Sequence, residues 1–252
     1  MFDLQRASTW KRISAYIFDG ILLVILGVGI AFLLSVALKY DGYTAKLEQA
    51  YAKYESEYGI LFDITEEEYN SMSEAESTNY MNAYNALLSD GEAMYVYHMV
   101  INLTLIITTI SILLSYMALE FAIPLWLGNG QTLGKKIFGI GLMRTDGIRV
   151  TPPLLFIRTI LGKYTIETMI PVLILIMIYF NTIGVLGILI LGLILLLQIA
   201  LFIATYTNSL LHDILAKTVV IDISSQMIFK DEQELLDCKK KVYAEKAARQ
   251  TY

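Results

Sequence analysis

Forty-five consecutive residues, 168–212, contain no Asp, Glu, Lys or Arg. As one helix at about 1.5 Å per residue they would run about 67 Å, more than twice the roughly 30 Å of a bilayer's hydrocarbon core, so the run must fold back on itself. Asn181 and Thr182, followed by Gly184, form its polar break, which predicts helices over residues 164–180 and 184–207. Pro171 lies near the start of the first of these, where it is tolerated or kinks the helix. Residues 20–38 and 93–119 are also free of charge, and each reaches the length of about 20 apolar residues that one span needs once its flanks are added. A signal peptide is the poorer account of the first run, which is longer than a signal's apolar core, follows Asp19 and shows no small-residue cleavage site. Four spans follow. With 56% hydrophobic and only 17% charged residues, the composition excludes a disordered or nucleic-acid-binding chain.

The charges that remain are sorted by region. Residues 39–92 hold twelve acidic and three basic side chains, a net of −9, so the rest of a chain at −5 overall sums to +4. By the positive-inside rule this predicts an extracytoplasmic 39–92 segment. The basic N-terminus (Arg6, Lys11, Arg12) and the loop with Lys135, Lys136, Arg144, Arg149, Arg158 and Lys163 are then cytoplasmic, and four spans return the C-terminus to the same side. The expected class is an all-α membrane protein, a four-helix transmembrane bundle with an extracytoplasmic helical insertion and a small cytosolic β element. Its expected organisation is a cytosolic N-terminus and first span at 1–38, the acidic insertion at 39–92 and the second span at 93–127. A cytosolic loop with a hairpin and an interfacial helix follows at 128–163, then the third and fourth spans at 164–211 and a cytosolic strand and charged tail at 212–252.

Within the insertion, Thr65 and Glu68 have the spacing of a capping box, and Tyr80, Tyr84, Leu87 and Leu88 recur at helical intervals. Its tyrosines fit the seam of a small helical hairpin better than a partner surface. On the inner side, Asp146-Gly147 between short apolar runs is a hairpin signal. Thr218 to Ile223 is a third strand candidate, tying the middle loop to the tail.

Ionisable groups inside a span are costly and are functional candidates by default. Arg12 and Asp19, seven apart on the first helix, share a face but stand about 10 Å apart along its axis, so Asp19 needs a partner from another helix. Asp213, beside His212, falls at the inner end of the fourth span, and Glu120 falls near the inner end of the second, four residues before Pro124. Two readings of this set stand level: a carboxylate site that exchanges a proton for a monovalent cation, or a satisfied ionic cluster that locks the helices.

The block Trp10-Lys-Arg-Ile-Ser-Ala-Tyr-Ile-Phe-Asp19-Gly, the block from Gly130 to Ile140 and the block His212-Asp-Ile-Leu-Ala-Lys-Thr-Val-Val resemble the three signature blocks of the RDD family of bacterial membrane proteins. The arginine and two aspartates that name that family correspond to Arg12, Asp19 and Asp213. The 39–92 segment is outside the resemblance and looks like an insertion. Two positions depart from the pattern: Ile214 stands where a basic residue usually follows His-Asp, and Lys217 where a glycine usually precedes Thr. The resemblance implies a multi-pass domain, with cation/proton antiport proposed for some members and association with other membrane machinery for others.

Phosphate-loop motifs fail on spacing around Gly128 to Lys136, because Asn129 and Lys136 stand where a Walker A motif needs Gly and Ser or Thr. The Gly130, Thr132, Gly134, Lys135 and Lys136 loop is expected at the inner membrane surface, both lysines facing anionic headgroups. His212-Asp213 lacks the further histidines of a metal site, and Cys238 has no partner base. No enzyme, metal or cofactor is expected. The functional expectations are a secondary transporter of the plasma membrane, oligomeric, exchanging H⁺ for Na⁺ or K⁺ through Arg12, Asp19 and Asp213 with Glu120 as a relay, or a non-enzymatic accessory protein whose acidic insertion binds an extracytoplasmic partner.

Overall fold

A long apolar stretch without proline dictates the first element, α1 (Thr9–Ala37), which stops before Lys39 takes the left-handed backbone conformation at φ 55°. The computed structural model describes residues 6–179 and 182–250. Phe180 and Asn181, the expected end of the third span and start of the polar break, lie outside them. Helix α2 (Tyr40–Tyr58) ends on Gly59 at φ 65°, a conformation that glycine adopts without strain. Helices α3 (Glu66–Ser71) and α4 (Glu74–Ser89) each begin in a capping box, the expected Thr65–Glu68 pair and a second made by Ser73 and Glu76. Asp90 then accepts hydrogen bonds from the backbone N–H groups of Glu92 and Ala93 to open α5 (Gly91–Tyr116).

The second span continues through a wide π-helical segment, Met117–Ala122, into α6 (Ile123–Leu127). After the short α7 (Leu133–Ile137) and strand β1 (Ile140–Arg144), the third span is assembled from α8 (Pro152–Phe156), a second π-helical segment, Ile157–Met169, and α9 (Ile170–Tyr179). Helix α10 (Gly184–Ala204), the short α11 (Leu211–Leu215), strand β2 (Thr218–Asp222) and α12 (Glu232–Gln250) complete the chain. Four helical stretches are long and apolar enough to cross a membrane: Thr9–Ala37, Gly91–Leu127, Pro152–Tyr179 and Gly184–Ala204. Small residues bring apolar helices together, as spans require when lipid removes the hydrophobic drive. Gly187 of α10 packs so closely on α9 that an added Cβ would lie 2.7 Å from Ile178.

The chain divides into two compact units, Met1–Gly27 with Ile112–Tyr252, and Val28–Ser111. The second is larger than the expected insertion because it takes in the adjoining parts of α1 and α5. Its seam is aromatic, as expected from the tyrosine spacing. Tyr54, Leu87 and Ala93 are buried, and the ring centroids of Phe62 stand 5.8 Å from Tyr51 and 6.0 Å from Tyr80.

In the first unit β1 and β2 pair antiparallel, with Ile140 opposite Asp222 and Arg144 opposite Thr218. Alternation along the strands sends Ile140, Leu142 and Val220 to one core, and Met143, Val219 and Ile221 to the other. The expected Asp146-Gly147 turn forms, with the Arg144 N–H donating to Ile148 O at 2.9 Å. Its second arm bridges β1 only at Met143–Arg149, and Ile148 in that arm bridges Phe229. Residues before α1 join the ribbon, with Ala7 N–H donating to Val220 O. Lys11 also donates to the Asp222 carboxylate at 2.6 Å.

Hydrogen bonds from Lys11 and Ser224 hold the Asp222 carboxyl down at about 2, from an ordinary 3.8. A depressed carboxylate stabilises the fold above its ordinary pKa and loses that contribution as pH falls through the folded value. Asp222→Asn should therefore lower the midpoint of thermal unfolding in detergent at neutral pH and leave the chain with a shallower loss of stability between pH 4 and about 2.

Candidate functional site

Each of the two π-helical segments ends one residue before an Ile-Pro pair, Ile123-Pro124 and Ile170-Pro171. A proline has no N–H for the carbonyl four residues earlier, and in the first case that carbonyl belongs to Glu120. It is satisfied from the third span instead, where the Thr159 hydroxyl donates to it at 3.0 Å. The i→i+5 pattern of the second segment places residues four to five apart on one side of the span. Arg158, Thr159, Gly162 and Lys163 are all buried there.

Around them the beginnings of α1 and of the third span meet the ends of the second and fourth. Arg158 Nε donates to Asp213 Oδ1 at 3.0 Å, and Thr218 Oγ1 donates to the same oxygen at 3.1 Å. Arg12 reaches the other oxygen at 3.7 Å, donates to Thr207 O at 3.1 Å and lies over the Phe202 ring. Lys163 Nζ donates to Glu120 Oε1 at 2.7 Å. Glu167 accepts from Gln198 Nε2 at 2.9 Å and from the His212 backbone N–H at 3.1 Å, and it meets His212 Nδ1 at 2.7 Å. Gly162 lies against His212, where an added Cβ would come within 2.5 Å of the histidine Cβ.

Asp19 belongs to a separate arrangement. Its carboxylate accepts from the Thr132 hydroxyl and, at 2.8 Å, from the Gly134 backbone N–H. Thr132 also caps α7 by accepting from Lys135 N–H. A side chain at 134 would press within 2.5 Å of Ala15 O, so glycine is what allows α7 to approach α1. The structure thus joins Arg12 to Asp213 and gives Asp19 the partner it was expected to need from elsewhere, in the Gly130–Lys136 region.

Several expectations are corrected. Lys135 is buried at 6% exposure, whereas Lys136 alone of the two lysines is exposed. Arg158 and Lys163, read as loop charges, are buried within the third span, which begins at Pro152 instead of residue 164. Asp213 sits on α11, beyond the end of the fourth span at Ala204. Glu167 was missed, although it stands four residues before Pro171 as Glu120 stands before Pro124.

A family model described as the RDD family matches residues 6–217. The chain belongs to the RDD family. No curated protein and no solved structure matches it. The two departures from the RDD pattern now have structural readings. Ile214 is 42% exposed, and Asp213 draws its cations from Arg158 and Arg12. Lys217 has φ 50°, the left-handed region where a glycine is free of the Cβ clash.

Burial sets the protonation of the groups beyond the spans. It disfavours charge on Asp213, but the guanidinium groups of Arg158 and Arg12 outweigh it and hold the carboxyl well below the usual range. It lowers His212, which favours the neutral ring. Lys135 falls to about 7 through burial and the repulsion of Arg158 and Lys163, partly offset by Glu120 and Asp19.

Removing Arg158 would leave Asp213 buried beside a more distant cation, and breaking a buried pair costs about 3–5 kcal/mol. Arg158→Met should lower the unfolding midpoint accordingly in a thermal melt of the detergent-purified chain. Lys217→Gly should raise that midpoint by relieving about 1 kcal/mol of left-handed strain.

Proposed function

We propose that this RDD-family membrane protein is a non-enzymatic accessory protein of the plasma membrane. In this reading the buried charges lock the spans to the β ribbon, and the acidic insertion recognises an extracytoplasmic protein partner. The observation that carries the reading is the state of the carboxylates. Asp19 is held by Thr132 and Gly134, Asp213 by Arg158 and Thr218, Glu120 by Lys163, and Glu167 by Gln198 and His212. A site that trades protons for Na⁺ or K⁺ has to release its carboxylates from protein donors. It would also have to attract a cation past Arg12, Lys135, Arg158 and Lys163.

The insertion offers what a partner surface needs. Its net charge is −9, and a pocket of about 280 Å³ is lined by Tyr51, Phe62, Tyr80, Tyr84 and Tyr97 among others. Both termini of the chain face the cytoplasm in this reading, on the strength of the basic flanks. The proton–cation exchange reading draws on one observation of its own, a cavity of about 170 Å³ that Asp19 and Asp213 both line.

Flux and docking experiments separate the two. Vesicles reconstituted with the full chain should show no proton movement above empty vesicles when a Na⁺ or K⁺ gradient is imposed. Replacing residues 39–90 with a short Gly/Ser linker should leave the membrane core as stable as before, and a photocrosslinker placed at position 84 of the full chain should capture a protein partner in intact cells. Cation-dependent proton flux that Asp19→Asn abolishes would overturn the accessory reading.

A further inference from the structure

The cavity beside Asp19 and Asp213 carries an imbalance that the locking role does not use. Four cationic side chains, Arg12, Lys135, Arg158 and Lys163, line it against the two carboxylates. Asp19 and Asp213 Oδ1 are occupied by protein donors, and Asp213 Oδ2 is ion-paired with Arg12 at 3.7 Å, while two of the cations have donors to spare. Among the described residues, Lys135 Nζ and Arg158 Nη1 are buried with no hydrogen-bond partner. Their residues are only 6% and 1% exposed. Buried donors of this kind are normally satisfied, and a charged one left alone is the more costly case.

We propose that the cavity binds a phosphate-class oxyanion, held by Lys135 and Arg158. Planar guanidinium and point-like ammonium groups are the two side chains that recognise such oxygens. The volume of about 170 Å³ is ample for one small oxyanion or several waters. Arg12, which lines the same space and contacts Asp213 at 3.7 Å, adds to the positive field. Thr132 and Gly134 keep Asp19 turned to α7, with both of its oxygens already hydrogen-bonded. Apart from His212, the remaining lining is largely apolar, including Ile13, Tyr16, Phe202 and Leu210, and Ile13 and Tyr16 are exposed on α1. That wall would accompany a lipid acyl chain or close over a free ion. The chemistry recognised is the same phosphate oxygens in both cases.

Two further buried atoms, Glu120 Oε2 and the cavity-lining Asp213 Oδ2, define the competing account. Glu120 Oε2 also lacks a hydrogen-bond partner, and Lys135 and Glu120 attract one another, so a bridging water could make Lys135 a purely structural group.

The test is a thermal melt of the full chain in a neutral detergent. Inorganic phosphate is titrated in one arm and phosphatidylglycerol in the other, each against potassium chloride at matched ionic strength. At tenfold excess over its dissociation constant the bound probe should raise the midpoint by about 3–6 °C. A rise with phosphate alone assigns a free ion, and a rise confined to the lipid arm assigns a headgroup. Lys135→Met removes no hydrogen bond, so it should fold, match or exceed the wild type without anion, and lose the rise. Lys136→Met, at the exposed neighbour, should keep it. The proposal is overturned if neither probe moves the wild type, if Lys135→Met retains the rise, or if Lys136→Met loses as much. A Lys135→Met chain that is markedly less stable without anion, or does not fold, overturns it too, because the ammonium is then a structural partner of Glu120. None of these readouts depends on the accessory role.

Discussion

Arg158 against Asp213 is the contact around which the first unit is organised. Both are almost completely buried, and a charge taken out of water at that depth is tolerated only when an opposite charge and further hydrogen bonds replace the solvent. Satisfying that demand draws in one element after another. Arg158 comes from the wide segment of the third span, and Asp213 from α11. Thr218 comes from the first residue of β2, and Arg12 from α1. Glu120 and Lys163 repeat the arrangement between the second and third spans. Apolar contact alone cannot specify how helices pack in lipid, because a lipid tail is as good a neighbour as a leucine. Directional charge pairs can.

The extent of the spans was legible in the sequence where apolar runs end in solvent. It was not legible where a span carries charge into a protein interior. The absence of charge over residues 168–212 placed the start of the fourth span at Gly184, where it lies, but that of the third too late, since Arg158, Lys163 and Glu167 belong to the third span and are buried or half-buried there. A charge count has no means of telling a loop lysine from a buried one, and that distinction is made only by the partner across the interface. Asp19 shows the complementary case. Its depth on α1 announced that a partner was needed, but a backbone N–H at Gly134 leaves no signature in side-chain chemistry. The Glu-to-Pro spacing shared by Glu120 and Glu167 was a readable sign, because it pairs an ionisable side chain with a carbonyl that the helix cannot satisfy.

The wide segments show how such sites are made available. An ordinary helix closes each carbonyl onto the N–H four residues on and presents a regular surface. Proline removes that donor, the turn widens, and a backbone acceptor and an ionisable side chain are left facing the same neighbour. In this chain the released carbonyl of Glu120 meets the hydroxyl of Thr159, so the irregularity in one span is answered from another. The two compact units differ in this respect. The first is held by charge and by backbone groups released from helices, whereas the second rests on edge-to-face and tilted aromatic contacts and self-contained capping boxes, devices typical of water-facing helices.

The β ribbon joins parts of the chain that membrane insertion delivers at different times. Its β1 lies between the second and third spans, its β2 follows the fourth, and its edge is extended by residues that precede the first. These segments meet only when they are on one side of the bilayer. A chain in which the third or the fourth span alone failed to insert would leave β1 and β2 separated by about 30 Å of hydrocarbon, each with unpaired backbone groups. The ribbon therefore doubles as a record of biogenesis: its closure is possible only when an even number of crossings separates its strands, and a mis-inserted chain is left with an unfinished sheet edge.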